Sequence, residues 1–353
     1  MKKVNLLEAT LRDGSYAVNF SFTAADTSTI CKELENAGFE YIEVGHGVGL
    51  NARNMGHGIS AQTDEEYMIA AESVLEKAKY GMFCIPGIAR LEDVDLAAKH
   101  KMGFLRVGTN VTEVKTSESF IKKAKDYGMF VCANFMKSYA LSPEGFAEQA
   151  LISEQYGADM VYVVDSAGGM FIEDIKKYYD AIRKVSNIPL GFHGHDNLGL
   201  AVSNSLEVAK MGFSFVDCCL QGLGRSAGNA SSELLAASFL KMGYHTGVDF
   251  VKVLEVGRKY IQPLITRRGQ NPLDIILGFS EFHSSYVPLI NKYAGKYSVD
   301  PLQLIVEMSK IDKVHVDETI LDGVAQKMKK DADLYLGKYH FDRYVGNEQQ
   351  RTP

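Results

Sequence analysis

The chain is expected to fold as an α/β protein: a (β/α)8 TIM barrel with a C-terminal helical domain. Three observations lead there. Short apolar, β-branched runs alternate with amphipathic helical segments from the start of the chain to His245. The runs number eight, and after Gly247 the alternation gives way to helical patterns alone. Strict strand–helix alternation requires parallel pairing with right-handed crossovers. Eight such units match a closed barrel better than an open doubly wound sheet, which would carry a Gly-rich phosphate loop after its first strand.

The expected strands are Val4–Ala9, Glu40–Gly45, Tyr80–Ile85, Phe104–Gly108, Met129–Asn134, Met160–Asp165, Pro189–His193 and Phe215–Leu220. Between them the helical period runs over Thr23–Ala37, Asp64–Lys79, Glu92–Lys101, Ser117–Tyr127, Pro143–Tyr156, Ile172–Val185 and Leu198–Met211. Several of these helices run into a glycine just before the next strand (Gly38, Gly103, Gly128, Gly157, Gly212), the residue that closes a helix in the left-handed conformation. Beyond the barrel, helices are expected over Val248–Tyr260, Pro272–Leu289, Pro301–Ser309 and Asp317–Met328. The resulting division is a barrel over 1–245, a helical lid over 246–345 and a polar tail over 346–353.

Composition narrows the function classes. The 353 residues are 46% hydrophobic and 23% charged, which excludes disorder as the main state, and the formal net charge of −6 argues against a nucleic-acid binder. No run approaches the length of a membrane span, and the start lacks the apolar stretch of a signal peptide. The five cysteines show no C-x-x-C spacing and read as buried free thiols of a cytoplasmic protein.

In such a barrel the chemistry lies at the C-terminal ends of the strands. Those positions carry Arg12-Asp13-Gly14, Glu43-Val44-Gly45-His46, Asp165-Ser166, His193-Gly194-His195 and the loop Gly222 to Asn229. Residues i and i+2 of a strand face the same side, so His193 and His195 both point to the barrel axis. With Asp13 they make a facial set that leaves positions open for water and a chelating substrate. Asn229 is a candidate fourth ligand through its amide oxygen. Arg12 is placed to stabilise an oxyanion beside the metal. Glu43 is expected to orient Arg12, while Asp165, Ser166 and His46 are candidate substrate contacts.

These residues together resemble the DRE-TIM metallolyase superfamily, and most closely its 4-hydroxy-2-oxoacid aldolases. The likeness runs from Leu11-Arg12-Asp13-Gly14 through Ile42 to Leu50, Asp165 to Gly168, Gly191 to Leu198 and Gly222 to Asn229 into Gly278 to Tyr286. The resemblance implies a class II aldolase that makes or breaks a C–C bond of a 4-hydroxy-2-oxo acid through a metal-bound pyruvate-type enolate. Mn²⁺ or Mg²⁺ would be held by Asp13, His193 and His195, and Arg12 would share the enolate charge. It also implies an acylating aldehyde dehydrogenase as partner; a homodimer is a further expectation, and neither nucleic acid nor membrane is expected.

Three positions depart from the aldolase pattern. Tyr16 stands where those enzymes carry the acid/base His, His283 stands where their helical domain supplies a Tyr, and Val48 replaces an Asp. One reading is an exchange, in which His283 supplies the titratable group and Tyr16 is its hydrogen-bond partner. The other is that Tyr16 only reshapes the pocket for a different substrate. Two functional alternatives stand beside the aldolase: a Claisen-type synthase joining acyl-CoA to a 2-oxo acid, and a barrel kept as a non-catalytic partner subunit.

Overall fold

A computed structural model describes residues 2–265 and 271–328. The eight expected runs form a closed parallel barrel: β1 (Asn5–Glu8), β2 (Tyr41–Glu43), β3 (Lys79–Cys84), β4 (Phe104–Asn110), β5 (Phe130–Met136), β6 (Met160–Asp165), β7 (Leu190–Gly194) and β8 (Phe215–Cys218). Closure is made by β8 pairing with β1, with Asn5 opposite Phe215 and Glu8 opposite Cys218. The buried Glu8 carboxylate stitches that seam by accepting from the Leu220 amide and the Thr10 and Ser232 hydroxyls.

Local chemistry sets the helix ends. Thr23 with Asp26, and Thr63 with Glu66, form reciprocal capping boxes at Ala24–Asn36 and Asp64–Glu72. The helix expected over Asp64–Lys79 stops at Glu72. The reason lies outside it: the Glu35 carboxylate accepts from the amides of Glu76, Lys77 and Ala78 and turns the chain into β3. A short parallel pair, Lys2–Lys3 with Tyr244–His245, was invisible in a pattern that needs at least four residues to show alternation.

The apolar core falls into two main bodies. One fills the space between strands and surrounding helices, and the other lies among the C-terminal helices around Leu273, Phe282, Ile290, Ile305 and Met308. All five cysteines are buried and free. No helix among the described residues is long and apolar enough to cross a membrane. The tail over 346–353 and the last part of the lid lie outside the described residues.

The segment expected as one helix over Pro272–Leu289 breaks, and the break matters. Pro272–Phe279 ends at Ser280, Glu281 takes a left-handed φ of 48°, and a new helix, Val287–Tyr297, starts with Pro288 in its first turn. The His283 side chain caps the intervening turn by accepting from the Ser285 amide. The turn places His283 in the lining of the cavity at the barrel mouth.

The lid helix meets the barrel backbone to backbone: a Cβ at Gly169 would lie 2.1 Å from the Gly278 carbonyl oxygen. Gly169→Ala should therefore lift Pro272–Phe279 off the barrel at a cost of about 1–3 kcal/mol, the range for overpacking. Hydrogen exchange should accelerate over 272–297 relative to the barrel strands; unchanged protection there would contradict this packing account.

Candidate active site

A cavity of about 460 Å³ opens where the strands end and the lid begins, lined by Arg12, Asp13, Tyr16, His193 and His195 from the barrel and by His283, Tyr286 and His315 from the lid. Asp13 starts a 3-10 turn directly after β1, its amide tied to the Ala9 carbonyl at 2.7 Å. His193 lies in β7, and His195, just beyond it, bridges to Asn229 of the loop after β8.

Asp13, His193 and His195 are all buried, and each offers a ligand atom within 4.8 Å of the others. His193 Nε2 is 3.4 Å from His195 Nε2 and 3.7 Å from Asp13 Oδ2. Burial alone would raise the Asp13 pKa; Arg12, then His195 and His193, hold the carboxyl well below the usual range. Burial, followed by Arg225, holds His195 well below its ordinary value and so neutral. An ionised carboxylate and a neutral imidazole converging in a buried pocket are donors in the state a cation requires. Asn229 adds to the fit. Its amide nitrogen donates to Asp13 Oδ1 at 3.0 Å, and its own Oδ1 is buried with no hydrogen-bond partner. Gly224 leaves room for this arrangement, since a Cβ there would lie 2.3 Å from the Asn229 amide nitrogen. The donor set of oxygen and imidazole therefore fits a divalent metal.

A second tier of buried charge fixes the first. Asp217 Oδ2 lies 2.8 Å from His193 Nδ1, which leaves Nε2 to face Asp13. Asp217 also receives Arg106, whose other arm donates to Glu43 Oε2 at 2.8 Å, with the guanidinium 4.5 Å over the Tyr162 ring. This corrects one expectation: Glu43 orients Arg106 and not Arg12. Arg12 is held instead by Asp13, at 2.8 Å, and by the Phe83 ring 3.9 Å beneath it. Glu43 sits in the barrel interior at the level of β4, where the buried Arg106 guanidinium competes for it.

Two candidate substrate contacts do not line the cavity. Asp165 is spent on the loop after β6, accepting from the amides of Gly169 and Met170, and burial raises its pKa to about 6. His46 stacks on Phe20 with ring centroids 4.0 Å apart and accepts from the Val48 amide; burial lowers its pKa to about 4. Ser166 does line the cavity, although its hydroxyl is engaged by the Lys137 amide at 2.9 Å.

Tyr16 and His283 both reach the cavity, as an exchange requires. The state of His283 differs from the expectation, however. The Ser285 amide donates to Nδ1, so the neutral ring carries its proton on Nε2. Burial, then Arg225 and Lys137, hold the pKa well below the ordinary histidine value. This is an imidazole kept neutral. Val48 packs with Tyr16, Phe20 and Ala52, so the ring is seated in an apolar patch.

Several cavity residues escaped the sequence reading. Arg225 places Nη2 2.6 Å from His195 Nε2 and Nη1 2.8 Å from the Ser284 hydroxyl, linking barrel and lid. Lys137, just after β5, and Asn134 on it also line the cavity, as do His57 and His315. Arg225 stood inside the Gly-rich loop already singled out. For Arg106 and Asp217 the signal was a charge in mid-strand. Nothing local marked Lys137.

The chain is similar to known proteins along most of its length. The family model described as HMGL-like matches residues 3–259. The chain is 37% identical over 331 residues to the 4-hydroxy-2-oxovalerate aldolase of Carboxydothermus hydrogenoformans, covering 93% of this chain and 98% of that one. It is also 37% identical over 328 residues to the same-named protein of Moorella thermoacetica, covering 93% and 97%. Among solved structures, the HMG-CoA lyase from Brucella melitensis superposes with a TM-score of 0.65 at 18% identity over 75% of this chain and 99% of that one, a likeness of fold.

If Asp217 sets the direction of His193, Asp217→Asn should weaken Mn²⁺ binding roughly 10- to 100-fold, measured by titration against the free-ion EPR signal. An unchanged affinity in a variant that melts like the wild type would contradict this role.

Proposed function

The chain belongs to the HMGL-like (DRE-TIM) family, within the branch of the 4-hydroxy-2-oxovalerate aldolases, and is a carbon–carbon lyase; from that premise we propose that it is a divalent-metal-dependent class II aldolase acting on 4-hydroxy-2-oxo acids. The observation that carries the reading is the convergence of Asp13, His193 and His195 beside Arg12, under a lid that brings His283 to the same cavity. A divalent cation bound there, Mn²⁺ or Mg²⁺, would supply Lewis acidity toward the 2-oxo and carboxylate oxygens of the substrate.

The chain's own residues account for the rest. In cleavage, the C4 hydroxyl passes its proton to solvent at the open cavity mouth, the C3–C4 electron pair passes to the 2-oxo acid half as an enolate, and the aldehyde departs. The enolate carbon then takes a proton back from solvent, so that no net proton is consumed. Arg12, buried and fixed between Asp13 and Phe83, takes up part of the enolate charge without having to reorient. His283 donates from Nε2 to the C4 oxygen, stabilising the developing alkoxide in cleavage and polarising the aldehyde carbonyl in condensation. Tyr16, which lines the same cavity, completes the pair. The sequence reading gave His283 a titrating role; its neutral, N–H-bearing state favours hydrogen-bond donation.

The barrel over 1–245 is the catalytic unit in this account, and the helices over 246–345 are its lid. Aldolase-named relatives spanning the chain favour this reading over the Claisen synthase and the non-catalytic subunit. A cytoplasmic setting fits the five buried free thiols. An acylating aldehyde dehydrogenase that takes up the released aldehyde, and a homodimer, are the associated partner proposals.

Product formation from pyruvate and aldehydes, followed by mass spectrometry with Mn²⁺, tests the assignment. His283→Ala should lower turnover roughly 100-fold or more, as loss of one oxyanion donor does, and His283→Gln, which restores an N–H, should recover a large part of it. Near-normal turnover in His283→Ala together with its abolition in Tyr16→Phe would overturn the exchange.

A further inference from the structure

The cavity carries a cation that neither the metal site nor the enolate uses. Arg12 and Arg106 are matched by Asp13, Glu43 and Asp217. Lys137 is different. It is only 4% exposed, and its ammonium donates to two uncharged oxygens, the Val314 carbonyl at 2.7 Å and the Tyr286 hydroxyl at 3.2 Å. Among the described residues no carboxylate forms an ion pair with it. The acids that act on it, Glu113 and Asp312, do so from farther away. Glu113 stands at the rim, 3.8 Å from His315, and the Asp312 carboxylate is occupied by the amides of Val314 and His315. A buried lysine without an acid is costly, and burial, reinforced by Arg225, lowers its pKa to about 8. The backbone there is unusual as well: Lys137 holds a left-handed conformation, φ 55° and ψ 48°, which non-glycine residues seldom adopt.

The position of this charge relative to the reacting centre is informative. Lys137 donates to the hydroxyl of Tyr286, three residues along from His283, and all three side chains line the same cavity. A substrate whose C4 oxygen meets His283 therefore extends its C4 substituent toward the wall that holds Lys137. A methyl group at that point would leave the ammonium desolvated and without a counter-ion; an anionic group would complete it with a charge-assisted hydrogen bond. We propose that Lys137 receives a carboxylate carried on the aldehyde half of the substrate, so that the enzyme acts on 4-hydroxy-2-oxo diacids in preference to the neutral-tailed 4-hydroxy-2-oxo acids. The proposal rests on the aldolase reading.

Two measurements separate the two claims. The first is calorimetric binding to the Mn²⁺-loaded protein of 2-oxoglutarate and of 2-oxopentanoate, which differ by a carboxylate in place of a methyl. Wild type should bind the diacid more tightly by roughly 10- to 100-fold, Lys137→Met should erase that ratio, and Lys137→Arg should keep most of it. The second compares condensation of pyruvate with glyoxylate and with acetaldehyde. The kcat/KM ratio should favour glyoxylate in wild type and fall in Lys137→Met, whatever loss the two aldehydes share. A wild-type binding ratio at or below one, or the same ratio in Lys137→Met, overturns the role of Lys137. Should Lys137→Met fail to fold, the wild-type ratio and Lys137→Arg still decide. Absence of turnover with both aldehydes strikes the aldolase reading instead, while the binding ratio continues to judge Lys137.

Discussion

Charge buried inside a barrel has to be paired, and here the pairing sets the geometry of the mouth. Arg106 lies in the interior between Glu43 and Asp217, and Asp217 in turn holds His193. Removing both carboxylates would leave the guanidinium unmatched, a change that costs about 3–5 kcal/mol at buried pairs. One chain of contacts thus ties the end of β2 and the interior of β4 and β8 to a ligand atom at the end of β7. The site is positioned by the barrel interior as much as by its loops.

Above that tier, a second set of charges joins the two parts of the molecule. Arg225 contacts His195 below and Ser284 above, and Lys137 contacts Tyr286 and Val314. The lid is therefore held over the cavity by cations from the barrel loops, and burial together with the same cations holds the His283 pKa down. Docking of the lid and the protonation state of its histidine are consequences of one arrangement.

The fold was legible because it is repetitive. All eight strands could be read from short apolar runs, five of them preceded by a helix-closing glycine, since a parallel strand buried on both faces needs little else. Less was legible where a distant group decides: Glu35 ending the helix at Glu72, and Glu281 breaking the lid helix, act through contacts or backbone angles that leave no periodic trace. At the site, His193 and His195 were found because i, i+2 spacing at a strand end carries their geometry, and Asp13 because it follows a strand that opens onto the same face. Glu43 was identified as a charged interior residue but given the wrong arginine, because strand order and not spacing determines that Arg106 reaches it. Asp165 and His46 sat at strand ends yet were consumed by loop amides and an aromatic neighbour. Lys137 was missed because its meaning depends on what does not surround it.

Asp13, His193 and His195 are proposed to hold a divalent metal beside Arg12, where a bound 2-oxo acid would exchange its methyl protons. Mass-spectrometric deuterium uptake into pyruvate in D2O tests it most directly. Mn²⁺-loaded protein should exchange the methyl protons, and the exchange should stop after chelation and return when the metal is restored. Exchange that persists undiminished in the chelated protein, or none in the metal-loaded one, would contradict the account.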